Sequence, residues 1–352
     1  MMMNNRSVLI GDNLSYLRDF PSDSVDLFYA DPPYNKGRVI KNAKSGLSFD
    51  DRWNQKNDED YYIHEDTEIP DFIRIIPDGT TKRFITFLAP RLMEMRRALK
   101  MDGSIYLQCD DTASGYIKVL MDMIFHPSLF MSQIVWKRTN GTKSSFTNYG
   151  RNTDIIFYYS NSKERTWNPA FIEFTKEQKK PYKYRDMNGR WYSLVTLTAP
   201  ESSGTLMYEW KGLYPPKGRH WAYTKENMKK LEEDGLLVQT APEKLPMRKK
   251  YLDESDGIRV TNLWEDVNIL SKQEKVDYPT QKPLSLLDRI ILTSSNENDL
   301  VVDPFCGSGT TLVSAEKNNR QWIGVDANDV VGIVDRRMSE LNAKVEHTKY
   351  RS

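Results

Sequence analysis

The chain has only two cysteines, Cys109 and Cys306, far apart in sequence. That argues against a disulfide framework and against the paired spacings of a structural zinc site. Histidine is also scarce, at four residues, and no tight His/Cys/Asp cluster occurs, so no metal is expected. No apolar run approaches the ~20 residues of a membrane span, and the opening Met1-Met2-Met3-Asn4-Asn5-Arg6 lacks the apolar core of a signal peptide. The spacing G-x-G-x-x-G is missing, which weakens a nicotinamide-dependent oxidoreductase. Internal repeats are absent as well. At 352 residues the chain exceeds a typical single domain, so one large domain with an insertion is expected.

Against these absences stands Asp31-Pro32-Pro33-Tyr34, directly after the apolar run Val25 to Ala30. An apolar run stopped by two prolines reads as a buried strand ending in a rigid loop. Proline removes the backbone donor and holds φ near roughly −65°, so the loop keeps one shape with its carbonyls free. A carboxylate, a free carbonyl and an aromatic face then meet at the carboxyl end of a strand, where open α/β sheets bind ligands. Two acceptors and a stacking surface suit a planar ring that carries an exocyclic NH2.

A second strand–turn–helix unit lies near the other end. Leu300 to Asp303 reads as a strand, Pro304 to Gly309 as a glycine turn, and 310–319 as a helix. Such a turn brings backbone N–H groups close to an anionic or polar ligand. The next strand, Gln321 to Asp326, ends in an acid placed to accept from ribose hydroxyls. The unit looks built for a nucleoside with a charged tail other than phosphate.

Together with Gly11-Asp12-Asn13-Leu14, Phe49-Asp50-Asp51-Arg52-Trp53 and Pro279-Thr280-Gln281-Lys282-Pro283-Leu284, these motifs resemble the beta class of DNA amino-methyltransferases. The likeness covers most of the chain, and the order of motifs, Asp-Pro-Pro-Tyr first and glycine turn last, is that of the class. It implies a circularly permuted, Rossmann-like methyltransferase fold, α/β, with a mixed seven-stranded sheet and helices on both faces. It implies S-adenosylmethionine as cofactor and the N6 amino group of a flipped-out adenine in double-stranded DNA as target. Cytosine-N4 enzymes of the family usually carry Ser at the position of Asp31, so cytosine N4 is the alternative, with an RNA amine behind it. A DNA-binding regulator that keeps a cofactor pocket has no use for both motifs. A cytoplasmic protein of bacterial, archaeal or phage origin is expected, and a homodimer and a cognate restriction endonuclease are compatible with the resemblance.

By the same resemblance Asp31, Pro32, Pro33 and Tyr34 form the catalytic loop. Asp303, Phe305, Gly307 and Gly309 wrap the methionine half of the cofactor, and Asp326 takes the ribose. Asp12 accepts from the adenine of the cofactor or caps a helix. Lys282 pairs with the cofactor carboxylate or faces solvent. Trp53 and Trp136 line the target pocket, unless Trp136 is a core residue of an edge strand. Cys306 reads as a small residue that fits the turn.

The net charge of +1 conceals an uneven distribution. Residues 161–260 hold 19 Lys and Arg against 14 Asp and Glu, a surplus of five that leaves the remainder four negative. Aromatics interleave with the cations around Lys179, Lys180, Lys183, Arg185, Arg248, Lys249 and Lys250, a pattern suited to backbone contact and base stacking. The expected division is therefore a catalytic part over 1–160, a target-recognition insertion over 161–270 and a cofactor part over 271–352. Helices are expected near 13–19, 82–100, 112–124, 225–234 (capped by Thr224) and 284–294, with a long C-terminal helix. Strands 133–136 and 154–159 should pair at the sheet edge, and 35–70 should form a long loop.

Overall fold

The computed structural model describes residues 4–34, 39–41, 48–50, 70–139, 149–200, 206–267, 270–276 and 278–349. They fall into two compact units, Met1–Ala170 with Val260–Ser352, and Phe171–Arg259.

The first unit is built on nine strands: β1 Ser7–Ile10, β2 Val25–Ala30, β3 Leu99–Cys109, β4 Phe130–Lys137, β5 Thr153–Ser160, β6 Leu263–Trp264, β7 Leu300–Asp303, β8 Gln321–Asp326 and β9 Glu346–Lys349. Their order in the sheet is β6-β4-β5-β3-β2-β7-β8-β1-β9. Only β5 runs against its neighbours, and every other pairing is parallel. A parallel sheet is covered on both faces, so its strands read as continuous apolar runs whose alternate residues enter opposite cores. Phe28, Val302, Ile323 and Val325 join one core with α1 (Asn13–Asp19), α2 (Thr80–Ala98) and α3 (Ser114–Phe125). Leu27, Tyr29, Val301 and Trp322 join the other, with α4 (Leu284–Ser294), α5 (Thr310–Lys317) and α6 (Val331–Ser339).

Several details depart from the sequence reading. The expected seven strands are extended by β6 and β9 at the two edges. A two-residue strand has no period to read, and β9 is too polar to signal burial. Because β6 pairs with β4 (Leu263 opposite Val135), the hairpin β4–β5 lies inside the sheet rather than at its edge. In place of a long C-terminal helix, α6 has nine residues. Asn342 follows it in the left-handed region (φ +57°), where Asn is tolerated, and the chain turns into β9. Helix α2 stops at Ala98, since Leu99 already pairs with Val25. Within 35–70, residues 39–41 pair antiparallel with 48–50, and most of the expected long loop lies outside the described residues.

The second unit is narrower than the expected insertion. Asn161 donates to Gly103 O at 3.0 Å, Thr166 to Asp102 O at 3.1 Å and Asn168 to Thr293 O at 2.7 Å, which fastens 161–168 to the first unit. Strand β6 does the same for 263–264. Within Phe171–Arg259, an antiparallel sheet runs in the order Leu237–Val238, Met247–Tyr251, Trp191–Thr196, Tyr184–Arg185. A small core forms around Leu197, Trp210, Trp221 and Met228. Helix Lys225–Glu233 starts at Thr224, whose hydroxyl accepts from Asn227 N–H at 3.3 Å.

Thr224→Ala leaves that N–H without its cap. We expect a loss of about 1 kcal/mol, measured as a lower urea midpoint; an unchanged midpoint would show that the cap contributes nothing.

Candidate active site

Parallel pairing aligns the carboxyl ends of β1, β2, β7 and β8, and an acid stands at or just beyond each: Asp12, Asp31, Asp303 and Asp326. Strand β5 is reversed, so its first residues reach the same edge, where Asp154 lies opposite Trp136. Residues from all of these strand ends line one cavity of about 760 Å³, within the size range of ligand pockets.

Asp31 is held at both oxygens. Tyr34 donates its hydroxyl to Oδ1, and Lys282 donates from Nζ to Oδ2. Burial, then the charge of Asp31, raises the Tyr34 phenol well above its ordinary pKa, so it remains a donor. Lys282 Nζ also lies 3.4 Å from Thr280 O and 5.7 Å from the Tyr34 ring centre.

The glycine turn is fixed by two buried carboxylates. Asp303 accepts from Phe305 N–H at 2.9 Å and from the Thr311 hydroxyl. Asp326 accepts from Gly307 N–H at 2.9 Å and Asn328 N–H at 2.8 Å. Gly307 and Gly309 lie at φ +49° and +73°. A Cβ on Gly307 would fall 2.9 Å from the Tyr278 ring, so a side chain is excluded by space as well as by backbone conformation. Burial raises Asp303 to about 7, with further upward pressure from Asp31 and Asp326, and it raises Asp326 as well. Both cysteine thiols are buried and pushed well up by desolvation, which suits packing rather than nucleophilic attack.

Asp12 occupies the N-cap position of α1 but makes no side-chain cap bond. It pairs instead with Arg91, a buried guanidinium that burial lowers to about 10. Arg91 also donates to Asn13 Oδ1 at 2.6 Å and lies 3.5 Å from the Phe87 ring centre, and Asn13 donates to Pro304 O at 2.7 Å. This brace joins the end of β1 to the glycine turn, and sequence reasoning missed it. Its trace was an arginine inside the apolar stripe Phe84, Leu88, Leu92, Met95.

Opposite the glycine turn, Tyr29 donates to Gln108 Oε1 at 2.5 Å, and Gln108 donates to Asp154 Oδ2 at 2.9 Å. Arg138 Nε lies 2.9 Å from Asp154 Oδ1. Trp136 is both buried and cavity-lining, and its Nε1 has no hydrogen-bond partner among the described residues. Trp136 is thus a core residue that also lines the cavity, on a strand that β6 takes away from the sheet edge. Trp53 lies outside the described residues. Among the described residues no three His, Cys, Asp or Glu side chains converge as a metal site.

The seven basic residues singled out in the second unit do not form one patch. Strand register puts Lys249 on the face of Tyr192 and Tyr251, with its Nζ 5.5 Å from the Tyr192 ring centre. Arg248 and Lys250 point to the other face, and Arg248 donates to the Tyr223 hydroxyl at 2.7 Å. Arg185 stacks on Trp191 at 4.6 Å, and Lys183 lies 5.3 Å from the Tyr184 ring centre. Lys179 and Lys180 stand on and just after the short helix Lys176–Lys179, where Lys180 pairs with Glu177.

Comparison with known proteins finds the same kind of molecule. The profile of the N6/N4 DNA methylase family matches residues 25–331. The type II methyltransferase M.EcaI of Enterobacter cloacae is 33% identical over 304 residues, covering 85% of this chain and 61% of that protein. The Mod subunit of the type III restriction-modification enzyme StyLTI of Salmonella typhimurium is 29% identical over 324 residues, covering 86% and 48%. The chain therefore spans about half to three-fifths of the length of these two relatives. The DNA adenine methyltransferase YhdJ of Escherichia coli is 23% identical over 325 residues, covering 92% and 79%. Among solved structures, a protein of Thermus thermophilus, assigned as a candidate DNA modification methylase and complexed with S-adenosyl-L-methionine, aligns with a TM-score of 0.50. Its identity is 16%, and 99% of each chain is covered, which supports the fold.

Asp303 supplies a test of the site's electrostatics. Its folded-state pKa of about 7 exceeds the ordinary ~3.9, so the folded chain holds a proton there that the unfolded chain has lost. Its contribution is full below about pH 4 and is lost as pH rises through about 7. Asp303→Asn removes this dependence. We expect its stability relative to wild type to increase from about pH 5 to pH 8, by on the order of 1 kcal/mol or more. Parallel melting curves for the two proteins across that range would count against the assignment.

Proposed function

The chain belongs to the N6/N4 DNA methylase family, and from that footing we propose that it methylates the exocyclic amino group of a base in double-stranded DNA, adenine N6 in particular. The observation that carries this reading is the meeting of the Asp31–Tyr34 loop and residues 303–308 of the glycine turn on one cavity. Asp in the first position of the loop favours adenine, as does the name of the relative YhdJ.

The residues fit S-adenosylmethionine. The glycine turn lines the cavity with close-packed backbone whose Phe305 and Gly307 N–H groups are held by Asp303 and Asp326, Phe305 adds an aromatic wall beside Phe87 at 6.3 Å, and Asp326 and Asp12 line the same space as acceptors. Asp303, Phe305, Gly307 and Gly309 would hold the methionine half, Asp326 the ribose and Asp12 the adenine amino group. When bound, this cofactor supplies a methyl group on a sulfonium, a leaving group that requires no covalent enzyme intermediate.

The chain's own part is to prepare the amine. An exocyclic amine is a weak nucleophile because its lone pair is delocalised into the ring. Asp31 and the Pro32 carbonyl, each accepting one N–H, draw the nitrogen toward sp3 geometry and stabilise the positive charge that develops on it. Fixed acceptors also remove orientational freedom, an effect that reaches roughly 7–11 kcal/mol in well-aligned systems. Within a duplex the amine is out of reach, so the base must leave the stack at a cost of a few kcal/mol. Stacking on Tyr34 recovers about 1–3 kcal/mol of that. The aromatic and basic residues of the second unit, Lys249 foremost, are assigned to DNA contact.

Single-molecule sequencing of DNA from cells expressing the chain tests the reaction, beside an Asp31→Ala control. We expect N6-methyladenine at one short motif, lost in the control while calorimetric binding of S-adenosylmethionine persists. N4-methylcytosine would overturn the base assignment, and an unmarked genome would overturn DNA methylation. Replacing Lys249 and Lys250 by alanine should reduce the slope of log affinity against log salt by ~0.9 for each phosphate that is no longer neutralised. An unchanged slope would put the DNA surface elsewhere.

A further inference from the structure

Lys282 is paired with a carboxylate of the site. Its ammonium donates to Asp31 across 251 positions of sequence, and both side chains are largely enclosed, 14% and 16% exposed. Its neighbours in sequence are built into the fold. Gln281 accepts from Val276 N–H at 2.7 Å and donates to Glu274 O at 2.8 Å, and Pro283 is the N-cap residue of α4. The enclosed Lys282 side chain, 14% exposed, is directed to one place.

That place is the second oxygen of Asp31, the first being taken by Tyr34. Each carboxylate oxygen has two acceptor directions. Both donors can therefore stay while the oxygens retain capacity for an incoming N–H. With a donor on each side, the plane of the carboxylate is fixed before the target amine arrives, which is the condition for electrostatic preorganisation. Lys282 also sets a positive charge beside Asp31 in a cavity that holds three further buried carboxylates, Asp154, Asp303 and Asp326. We propose that Lys282 is a positioning residue for Asp31, acting on the methyl-accepting side of the site rather than on the cofactor carboxylate. The inference rests on the amino-methyltransferase reading above.

The two roles of Lys282 separate in kinetics. Lys282→Met is assayed with plasmid DNA from a methylation-deficient host and labelled S-adenosylmethionine, and cofactor affinity is measured by calorimetry with S-adenosylmethionine and S-adenosylhomocysteine. We expect kcat at saturating cofactor to fall roughly 10- to 100-fold, the effect of losing a hydrogen bond to a charged group, with cofactor Kd within about threefold of wild type. Lys282→Arg, which keeps a cationic donor, should recover much of kcat, as a purely structural role for the aliphatic stem would not predict. Cofactor Kd weakened tenfold or more with kcat retained would return Lys282 to the cofactor and overturn the inference. An arginine variant as slow as the methionine variant, with unaltered cofactor binding, would overturn it too. A wild-type chain that moves no methyl group to DNA would instead remove the reading beneath it, and this inference with it.

Discussion

The pairing of β2 with β7 is the constraint on which the rest of the structure depends. Leu27 lies opposite Val301 and Phe28 opposite Val302, residues more than 270 positions apart joined in parallel register. Parallel alignment puts the ends of both strands at the same edge of the sheet. The Asp31 loop and the glycine turn thereby become neighbours, although nothing in their local sequences refers to each other. A register shift of one residue would exchange the two cores and turn Phe28 and Leu27 to the wrong faces. Burial of both faces therefore holds the site in alignment.

Four enclosed carboxylates on one cavity, Asp31, Asp154, Asp303 and Asp326, are costly unless each is satisfied, and Asp154 is met by Gln108 and Arg138. Asp303 and Asp326 are answered chiefly by backbone N–H groups of the turn they shape and by the Thr311 hydroxyl, so the acids that line the cavity also hold its wall. Asp31 is answered by side chains, Tyr34 and Lys282. This difference suits their proposed roles. A carboxylate tied to backbone is part of the frame, whereas one held by two side-chain donors can still receive a further donor.

Much of this was legible in sequence because the motifs are local. The prolines at 32 and 33 specify a loop, the glycines at 307 and 309 specify positive φ, and continuous apolar runs specify strands buried on both faces. What escaped reading was carried by pairings without period. Two-residue β6 gained its place from Val135 and Trp136, and polar β9 from β1. Arg91 was hidden for a related reason. An arginine on an apolar helix face looks like a break in the pattern until Asp12, Asn13 and Phe87 are brought around it. Likewise, Arg248, Lys249 and Lys250 read as one basic cluster, but a strand sends successive side chains to opposite faces.

By itself, then, the sequence determined most of the elements and the two chemical loops, since each rests on residues within about ten positions of one another, and the order of motifs along the chain carried the family resemblance. Tertiary structure alone decided which charges meet. Lys282 was open to a cofactor carboxylate or to solvent, and the fold brings it to Asp31. Asp12 was open to ligand or helix cap, and the fold pairs it with Arg91. Partner choice for a long cationic side chain depends on which strand ends the sheet aligns. That is a property of the assembled register and of no single segment.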